Sequence, residues 1–346
     1  MPYDYRYPVE AVREALKTLA SQQLYIGASS WKYPGWVGLL YDEQRYLYHG
    51  KFAASRFERS CLNEFSEIFR SVCVDAGYYK FPSPDYIKNL CSQVPEDFRF
   101  SFKVTDEITT RTFPKLPRHG DKAGLRNPNF LNAELFQLGF LNSLAPHRDH
   151  MGILMFEFSH FHPRDFERGR EFMEMLDAFL GQLPKGWQYG VEVRNKNLLH
   201  PEYFAMLKSH GVAHVYNHWT HMPTVGDQWQ LPGSLTAENF MAARFLLKQG
   251  RTFEQAVESF SPYSSIKEVN EEARSAAIQI IKSRLYSASS EPSVQPSYLF
   301  FNNRLEGCSL FTILGILSSL GLVPGELVPD FAKSKKTNSI GASLYP

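Results

Sequence analysis

Eight short runs rich in β-branched and aromatic residues recur along the chain, and each of them ends on polar side chains. Segments with the residue spacing of helices separate these runs. Strands that alternate with helices predict parallel crossover units, and eight such units close into a single α/β domain, a (β/α)8 TIM-like barrel. The runs cover residues 24–31, 72–79, 98–104, 152–158, 189–195, 212–217, 240–246 and 298–303.

The chain length of 346 residues fits one elaborate domain better than two. We expect an N-terminal helical extension over residues 1–23, the barrel over residues 24–325 and a flexible tail over residues 326–346. The polar residues 105–131, after the third strand, predict a long loop, and such a loop usually serves as a lid or a binding element. The Ser- and Pro-rich residues 287–297 predict a flexible connector.

Composition and charge argue against several classes of protein. The net charge is +1, so the chain has no global basic field to attract nucleic acid or an anionic membrane. The four cysteines are scattered without a C-x-x-C pair, which indicates neither a zinc site nor a disulfide framework. No apolar run approaches the roughly 20 residues that span a bilayer, and the N-terminus lacks the apolar stretch of a signal peptide. We therefore expect a cytoplasmic protein with reduced thiols.

The fifth run, residues 189–195, shows the barrel pattern most clearly. Val191 and Val193 alternate with Glu192 and Arg194, so one face of the predicted strand is apolar and the other is ionic. Charges inside a barrel are costly unless they are paired or reached by water. The run therefore indicates a polar site near its end.

In barrels of this type the active site lies at the C-terminal ends of the strands. Three acids at these ends could perform acid–base catalysis or hold a hard cation, and they are the catalytic candidates: Asp75, Glu157 and Glu192. Six further residues at the strand ends are ligand-binding candidates, the first three of them as holders of a phosphate or carboxylate: Lys103, Arg194, Arg244, Asn217, Asn302 and Asn303. A stabilising ion-pair network is the alternative, but so many charges on one rim favour a polar pocket.

A loop rich in aromatic residues follows the first strand and contains Trp31, Tyr33 and Trp36. Such a loop could be a lid over the barrel mouth, or a platform on which a ring or a base of a ligand stacks. The sequence leaves both interpretations open, and we include the three residues among the ligand-binding candidates.

Histidines recur between residues 210 and 221 and raise the question of a metal site. On a strand over residues 212–217, His214 and His218 would lie roughly 13 Å apart at ~3.3 Å per residue, too far to share an ion. The chain also lacks a Gly-rich phosphate loop, a G-x-S-x-G elbow and an H-E-x-x-H motif. We predict no metal ligands and no cofactor.

The order of several motifs resembles the YecE-like family, domain of unknown function 72, over about residues 24–325. Each motif alone is weak, but their order and spacing are specific. The matching pieces are residues 26–31 (IGASSW) with Tyr33, Pro34 and Trp36, residues 62–72, Tyr78 and Tyr79 with Pro82, residues 98–103 (FRFSFK), residues 190–194 (GVEVR), and residues 301–303 (FNN) with Gly307. The resemblance implies a TIM-like barrel and a map of the site, but no reaction, because the biochemical function of the family is not established.

Several positions depart from the pattern that family members usually carry. The Glu-x-Asn of strand two is Cys73 and Asp75 here, the Gln that ends strand four is Glu157, and the Asp that ends strand six is Asn217. A His after strand three is Thr110, and the His-Pro after the strand-five Arg is replaced by residues 195–196. Positions that match the pattern are Lys103, Glu192, Arg194, Arg244, Asn302 and Asn303. The acidic groups are therefore redistributed, and the family's activity could be altered or lost.

Three functions remain open from the sequence. We favour binding of a small anionic or sugar-like ligand at the strand ends, with hydrolysis or isomerisation through Glu192 and Glu157 as the reaction if the protein is an enzyme. Nucleic-acid binding through the aromatic loop and the basic residues 111–126 is less favoured, and its affinity would fall steeply with salt. The third function is a catalytically inactive scaffold, which the substituted positions suggest. No membrane partner is expected.

Overall fold

Eight parallel strands form a closed barrel, which confirms the predicted (β/α)8 fold. The computed structural model describes residues 7–168, 170–287 and 295–329. Each barrel strand pairs with the next one along the chain, and the last pairs with the first. The strands are β1 Leu24–Ala28, β2 Ser71–Val74, β3 Arg99–Lys103, β4 Met151–Phe158, β5 Gln188–Val193, β6 Ala213–His218, β7 Met241–Phe245 and β8 Ser297–Phe301.

Helices connect the strands and surround the barrel. A π-helical turn, Gln137–Leu141, joins two short helices between β3 and β4. A small hairpin of Leu47–Tyr48 and Lys51–Phe52 precedes the first crossover helix. The helices are α1 Val9–Ser21, α2 Ala54–Ile68, α3 Pro84–Cys91, α4 Asp106–Thr109, α5 Ala133–Phe136, α6 Asn142–Leu144, α7 Glu171–Gly181, α8 Pro201–His210, α9 Val225–Gln230, α10 Phe253–Phe260, α11 Glu271–Ser287, α12 Asn303–Glu306 and α13 Ser309–Ser319.

Local sequence signals set the ends of several helices. α3 begins at Pro84, where a proline costs no helical hydrogen bond, and the Ser83 side chain caps the helix by accepting from the Tyr86 amide. α8 ends before Gly211, whose φ of 65° is the left-handed conformation that a glycine adopts without strain. Thr252 caps α10 and forms a capping box with Gln255.

Helix α1 packs on the outside of the barrel against β1 and α2. Its buried residues are the four whose spacing predicts the N-terminal helix: Val12, Ala15, Leu16 and Leu19. Two other helical segments differ from the sequence-based expectation. Residues 253–286 form α10 and α11 rather than one helix, because Pro262 follows α10 and cannot donate an amide hydrogen bond. Residues 164–183 become helical only from Glu171, after a 3-10 turn at Pro163–Asp165.

The core has two layers separated by the strands. Outward-facing strand residues pack beneath the helices, and the Phe98, Phe100 and Phe102 side chains of the third strand region belong to this large outer core. Inward-facing residues fill the lower part of the barrel, and Ile153, Met155 and several others belong to this separate inner core. Above this apolar plug the inward-facing residues are charged, which places a polar layer at the C-terminal ends of the strands.

Strands β1 and β2 approach each other closely, and Gly27 allows this approach. A Cβ atom at residue 27 would lie 2.1 Å from the carbonyl oxygen of Ser71, well inside van der Waals contact. The two strands pair where Ala28 lies opposite Val72. A glycine is therefore required at this seam of the barrel.

The predicted loop over residues 105–131 contains α4, a 3-10 turn at Pro117–Lys122 and a bridge between Thr112 and Arg126. The predicted connector begins inside α11 and ends where β8 begins, and its residues 288–294 lie outside the described part of the chain. The predicted tail starts within a 3-10 turn, Gly325–Leu327, and its residues 330–346 lie outside the described part as well. No helix in the described ranges is long and apolar enough to cross a membrane.

Candidate functional site

The inner face of β5 begins the polar layer. Val191 and Val193 point into the outer core, so Glu192 and Arg194 face the barrel axis, as their alternation predicts. The Glu192 side chain is fully buried, and its two carboxylate oxygens lie 2.6 Å from Arg194 Nη2 and 2.7 Å from Arg244 Nη1. Two guanidinium groups therefore hold this one carboxylate.

Arg244, on β7, connects three of the acids. Its Nη1 donates to Glu192 Oε2 at 2.7 Å and to Glu157 Oε2 at 2.9 Å, and its Nη2 donates to Asp75 Oδ1 at 3.4 Å. Glu157 and Glu192 lie opposite each other on the adjacent strands β4 and β5, whereas Asp75 follows β2, which is separated from β4 by β3. A single buried guanidinium thus spans the barrel interior.

Glu157 is the second centre of the cluster. Its Oε2 atom lies 2.9 Å from Lys103 Nζ and 3.1 Å from Arg194 Nη2, in addition to its bond with Arg244. All three predicted bases therefore contact this carboxylate. The structure brings together six of the predicted site residues in one ion-pair cluster: Asp75, Lys103, Glu157, Glu192, Arg194 and Arg244.

The pairing keeps the cluster ionised. Burial alone would raise the pKa of Glu157, but Lys103, Arg194 and Arg244 outweigh burial and hold this pKa well below its usual range. Burial would likewise lower the pKa of Lys103, and the carboxylates of Glu157 and Asp75 raise it instead. The pKa of Arg244 is raised because Glu192 and its other anionic neighbours outweigh burial. Glu157 is therefore a carboxylate, and Lys103 is a cation, at neutral pH.

Access to the cluster differs among its members. The side chains of Glu192, Arg244 and Arg194 are at most 4% exposed, whereas that of Asp75 is 33% exposed. Lys103 and Glu157 are intermediate, with side chains 12% and 10% exposed. The cluster is therefore reached from the side of β2 and β3, where Asp75 and Lys103 lie.

Two aromatic residues that the sequence analysis did not select as site residues pack on the cluster. Lys103 Nζ lies 3.9 Å from the ring centre of Tyr78, and the Arg194 guanidinium lies 4.0 Å from that of Trp219. Cation–π contacts of this kind stabilise buried cations. Both residues follow barrel strands closely, Tyr78 after β2 and Trp219 after β6, so a search of the residues just beyond each strand end would have found them.

The three amide candidates lie in different environments. Asn217, at the end of β6, faces the barrel axis and pairs in register with Arg244. Asn302 caps α12, since its side-chain oxygen accepts from the Arg304 amide at 2.9 Å. Asn303 holds the following turn by accepting from the Ser309 amide and hydroxyl at 2.7 and 2.9 Å. The side-chain oxygens of Asn302 and Asn303 are thus engaged in local structure, whereas that of Asn217 is buried and has no hydrogen-bond partner among the described residues.

The aromatic loop after β1 is packed into the protein. Trp36 is fully buried and stacks on Phe65, with ring centres 6.5 Å apart. Trp31 is also buried, while Tyr33 is half-buried between the rings of Trp36 and Tyr263. Of the three predicted ligand-binding aromatics, only Tyr33 offers a partly exposed ring.

Several buried polar atoms at the strand ends have no hydrogen-bond partner within the described residues. Three are donors on the two arginines, Arg194 Nε and Nη1 and Arg244 Nε. Others are the amide oxygen of Asn217 and the hydroxyl of Ser29, which follows β1, together with Glu192 Oε1, Asn303 Nδ2, His218 Nδ1 and Trp31 Nε1. Buried polar groups in native proteins are nearly always paired, so each unpaired atom calls for a partner.

In the described ranges, no group of three or more His, Cys, Asp and Glu side chains is arranged to hold a metal ion.

The basic residues of the loop over 111–126 are largely paired with acids. Arg111 lies 3.1 Å from Glu171, and Lys122 lies 3.3 Å from Glu107. Arg118 lies 3.3 Å from Asp106 and also packs over the rings of Tyr78 and Tyr79. The loop therefore presents less free positive charge than its sequence suggests.

The fold and the cluster define a class of protein, a (β/α)8 barrel with a buried and charge-balanced polar layer at the C-terminal ends of its strands. The family described as "Protein of unknown function DUF72" matches residues 25–336. The chain belongs to this family, which confirms the resemblance inferred from its motifs.

Relatives of known sequence include the UPF0759 protein YecE of Escherichia coli strain K12. It is 28% identical over 183 residues, which make up 53% of this chain and 50% of YecE. YecE of Escherichia coli O157:H7 matches to the same extent. The chain thus aligns with about half the length of these relatives.

Two solved structures of DUF72 family proteins share the fold. The protein from Enterococcus faecalis superposes with a TM-score of 0.57 at 17% identity, covering 86% of this chain and 98% of that structure. The protein from Thermotoga maritima gives a TM-score of 0.55 at 21% identity, covering 86% and 99%. At these identities the likeness concerns the fold alone.

Proposed function

We propose that the protein binds a small polar ligand, anionic or sugar-like, at the C-terminal ends of the barrel strands. The observation that carries this proposal is the set of unpaired buried polar atoms on Arg194, Arg244, Asn217 and Ser29. An unpaired buried polar group costs about 1–3 kcal/mol, so several of them on one rim form a layer whose hydrogen-bonding capacity is not used by the protein itself. A bound polar ligand supplies the missing partners.

The charge cluster also orders the site before a ligand arrives. Glu192 and Arg244 are held by several partners each, so their positions are set by the barrel rather than by the ligand. A site on rigid strand ends loses little conformational entropy on binding. The partly exposed Asp75 and Lys103 are the groups that an entering ligand meets first.

The charge state of Glu157 limits the role that this residue could have in a reaction at the site. Because Lys103 and the arginines hold the pKa of Glu157 well below its usual range, Glu157 stays a carboxylate that accepts hydrogen bonds but is a weak base. Hydrolysis or isomerisation at this site would therefore use Glu157 as an electrostatic stabiliser. Asp75 has the most exposed carboxylate of the cluster and is the acid that an entering ligand reaches first.

The experiment compares ligand binding by the wild type and two lysine variants. Purified protein is screened by thermal shift and isothermal calorimetry against sugars, sugar phosphates, small carboxylates and short oligonucleotides. Lys103→Met removes a cation from the candidate site but leaves Glu157 paired with two arginines, so the fold is expected to survive. Lys122→Met is the matched control, since it breaks a lysine–glutamate pair at 3.3 Å on the loop surface.

We expect a small ligand that stabilises the wild type to bind Lys103→Met at least about tenfold more weakly, and Lys122→Met with unchanged affinity. An oligonucleotide that binds at low salt and depends on Lys122 but not on Lys103 would instead place the function on the loops. A folded wild type that binds nothing in the panel would contradict the proposal and favour an inactive scaffold.

A further inference from the structure

The amide of Asn217 has a defined orientation at the site. Its Nδ2 donates to the carbonyl oxygen of Val193 at 3.1 Å, and a carbonyl can only accept, so the other amide atom must be the oxygen. The main chain of Asn217 is fixed as well, because its N–H donates to Gln228 Oε1 at 3.2 Å and its carbonyl accepts from Gln228 Nε2 at 2.7 Å. The Asn217 amide oxygen is thus a fixed and fully buried acceptor without a partner among the described residues.

The partner of this oxygen must be a hydrogen-bond donor. Asn217 and Arg244 lie opposite each other in register on adjacent strands, which are ≈ 4.8 Å apart, and both face the barrel axis. The unpaired atoms of Arg194 and Arg244 are donors, and the hydroxyl of Ser29 can act in both ways. The polar layer therefore contains unpaired donors and, at Asn217 and Glu192, unpaired acceptor atoms. A phosphate or a carboxylate only accepts, whereas a hydroxyl group accepts from an arginine and donates to an amide oxygen.

The charge of the cluster points in the same direction. Burial raises the pKa of the Cys73 thiol inside the barrel to about 12, so this group adds no charge. A net negative charge brought into a neutral, buried cluster is desolvated without a free cation to compensate it. The charged side chains balance as three cations and three carboxylates: Lys103, Arg194, Arg244, Asp75, Glu157 and Glu192.

We infer that the ligand of the barrel site is an uncharged compound with neighbouring hydroxyl groups, one of which donates to the Asn217 amide oxygen while others accept from Arg194 and Arg244. The inference rests on the proposed ligand-binding function and selects the sugar-like class over the anionic class. It also makes Asn217 a specificity-determining residue, because its acceptor rejects a ligand that has no donor at that position.

The test is a calorimetric comparison of neutral polyols with anions. The probes are D-glucose, D-ribose and myo-inositol on one side, inorganic phosphate and malonate on the other, and glucose 6-phosphate and ribose 5-phosphate as compounds with both features. We expect the neutral polyols to bind with a Kd that changes less than about twofold between low and high salt, since no ion pair forms or breaks. Phosphate and malonate are expected to bind at least about tenfold more weakly.

Variants and deoxy analogues locate the hydroxyl contact. The polyol that binds best is compared with its monodeoxy analogues. We expect one analogue to bind the wild type about tenfold more weakly than the parent polyol does. Asn217→Leu should bind that analogue and the parent polyol with the same affinity. Asn270→Leu is the matched control, because Asn270 is also buried but its side-chain oxygen is occupied by the Ala273 amide. If Asn217→Leu does not fold, Ser29→Ala replaces it, and we expect a smaller loss of polyol affinity from that variant.

The outcomes separate this inference from the proposed function. Binding of phosphate, malonate or sugar phosphates without binding of neutral polyols would overturn the inference and leave the proposed site in place. Polyols that bind Asn217→Leu and Ser29→Ala as tightly as the wild type would also overturn it. If neither class binds the folded wild type, the proposed function fails, and the inference fails with it.

Discussion

Replacing Arg244 by methionine tests whether the charge cluster is as closely coupled as its geometry indicates. The variant keeps an unbranched apolar stem but removes the guanidinium that bridges Glu192, Glu157 and Asp75. Removing one partner of a buried ion pair typically costs 3–5 kcal/mol, because the remaining charge is left buried and uncompensated. Glu157 keeps Lys103 and Arg194, and Glu192 keeps Arg194, so the cluster is left with one buried negative charge in excess. We therefore expect Arg244→Met to lower the free energy of unfolding by about 3–5 kcal/mol at pH 7.

The destabilisation is expected to depend on pH in a defined direction. The folded-state pKa of Glu157 lies below its unfolded value, so its pairing stabilises the protein above the unfolded pKa and less as pH falls through that range. Without Arg244, one of the three cations that hold the pKa of Glu157 down is gone, so Glu157 takes up a proton at a higher pH than in the wild type. The difference between wild type and Arg244→Met should therefore be largest near pH 7 and smaller near pH 4, below the ordinary glutamate pKa of 4.5.

Urea unfolding followed by circular dichroism at the two pH values measures both effects. Arg170→Met is the matched control, because Arg170 pairs with Glu202 at 2.9 Å on the surface, with side chains 75% and 66% exposed. Such a pair contributes at most about 1 kcal/mol. If Arg244→Met costs no more than Arg170→Met, the cluster is not a desolvated network, and the argument for a neutral, buried polar layer fails.

Three further predictions concern single residues. Burial lowers the pKa of His214 to about 4, so between about pH 4 and 6.5 His214 binds a proton in the unfolded chain but not in the folded one. The free energy of unfolding of the wild type should therefore fall by about 2 kcal/mol through this residue from pH 7 to 5. Urea unfolding of His214→Gln at the two pH values should lack this part of the decrease. Gly27→Ala should lower the melting temperature strongly, because its Cβ would lie 2.1 Å from the Ser71 carbonyl oxygen. Gly226→Ala is the control: this residue lies in a helix with no atom nearer than 3.6 Å to the new Cβ, so the melting temperature should stay unchanged or rise. Trp36→Ala should lower the free energy of unfolding measured in urea by about 3–5 kcal/mol, because the ring is fully buried. If the variant stays stable but loses ligand affinity, Trp36 is instead a platform on which the ligand stacks.

The barrel and the charged face of β5 could be predicted because a local pattern determines them. The alternation of Val191 and Val193 with Glu192 and Arg194 has the period of a strand, and no other part of the chain is needed to interpret it. The break between α10 and α11 also had a local signal in Pro262, although the helical pattern on both sides concealed it. Predictions of this kind need only the local sequence, either its alternation of apolar and polar residues or a single proline.

The parts that could not be predicted depend on contacts between distant residues. Trp36 is buried because Phe65 of α2 stacks on it, and nothing in the loop sequence distinguishes this from an exposed ring. Asn302 and Asn303 stand at a strand end, as site residues do, but the Asn302 oxygen caps α12 and the Asn303 oxygen accepts from the Ser309 amide at the start of α13. A polar residue at the end of a barrel strand is therefore ambiguous until the start of the next helix is known.

The substituted positions fit a site that has kept its charge balance. Set against the pattern that the resemblance implies, the acid of strand two lies at Asp75 instead of position 73, strand four has Glu157 in place of a Gln, and strand six has Asn217 in place of an Asp. These changes cancel in charge. A buried network of any function requires such balance, so the balance alone does not separate a binding site from a scaffold. The fixed, buried amide oxygen of Asn217, which no donor among the described residues reaches, is the acceptor with which the neutral, hydroxyl-bearing ligand inferred above would pair.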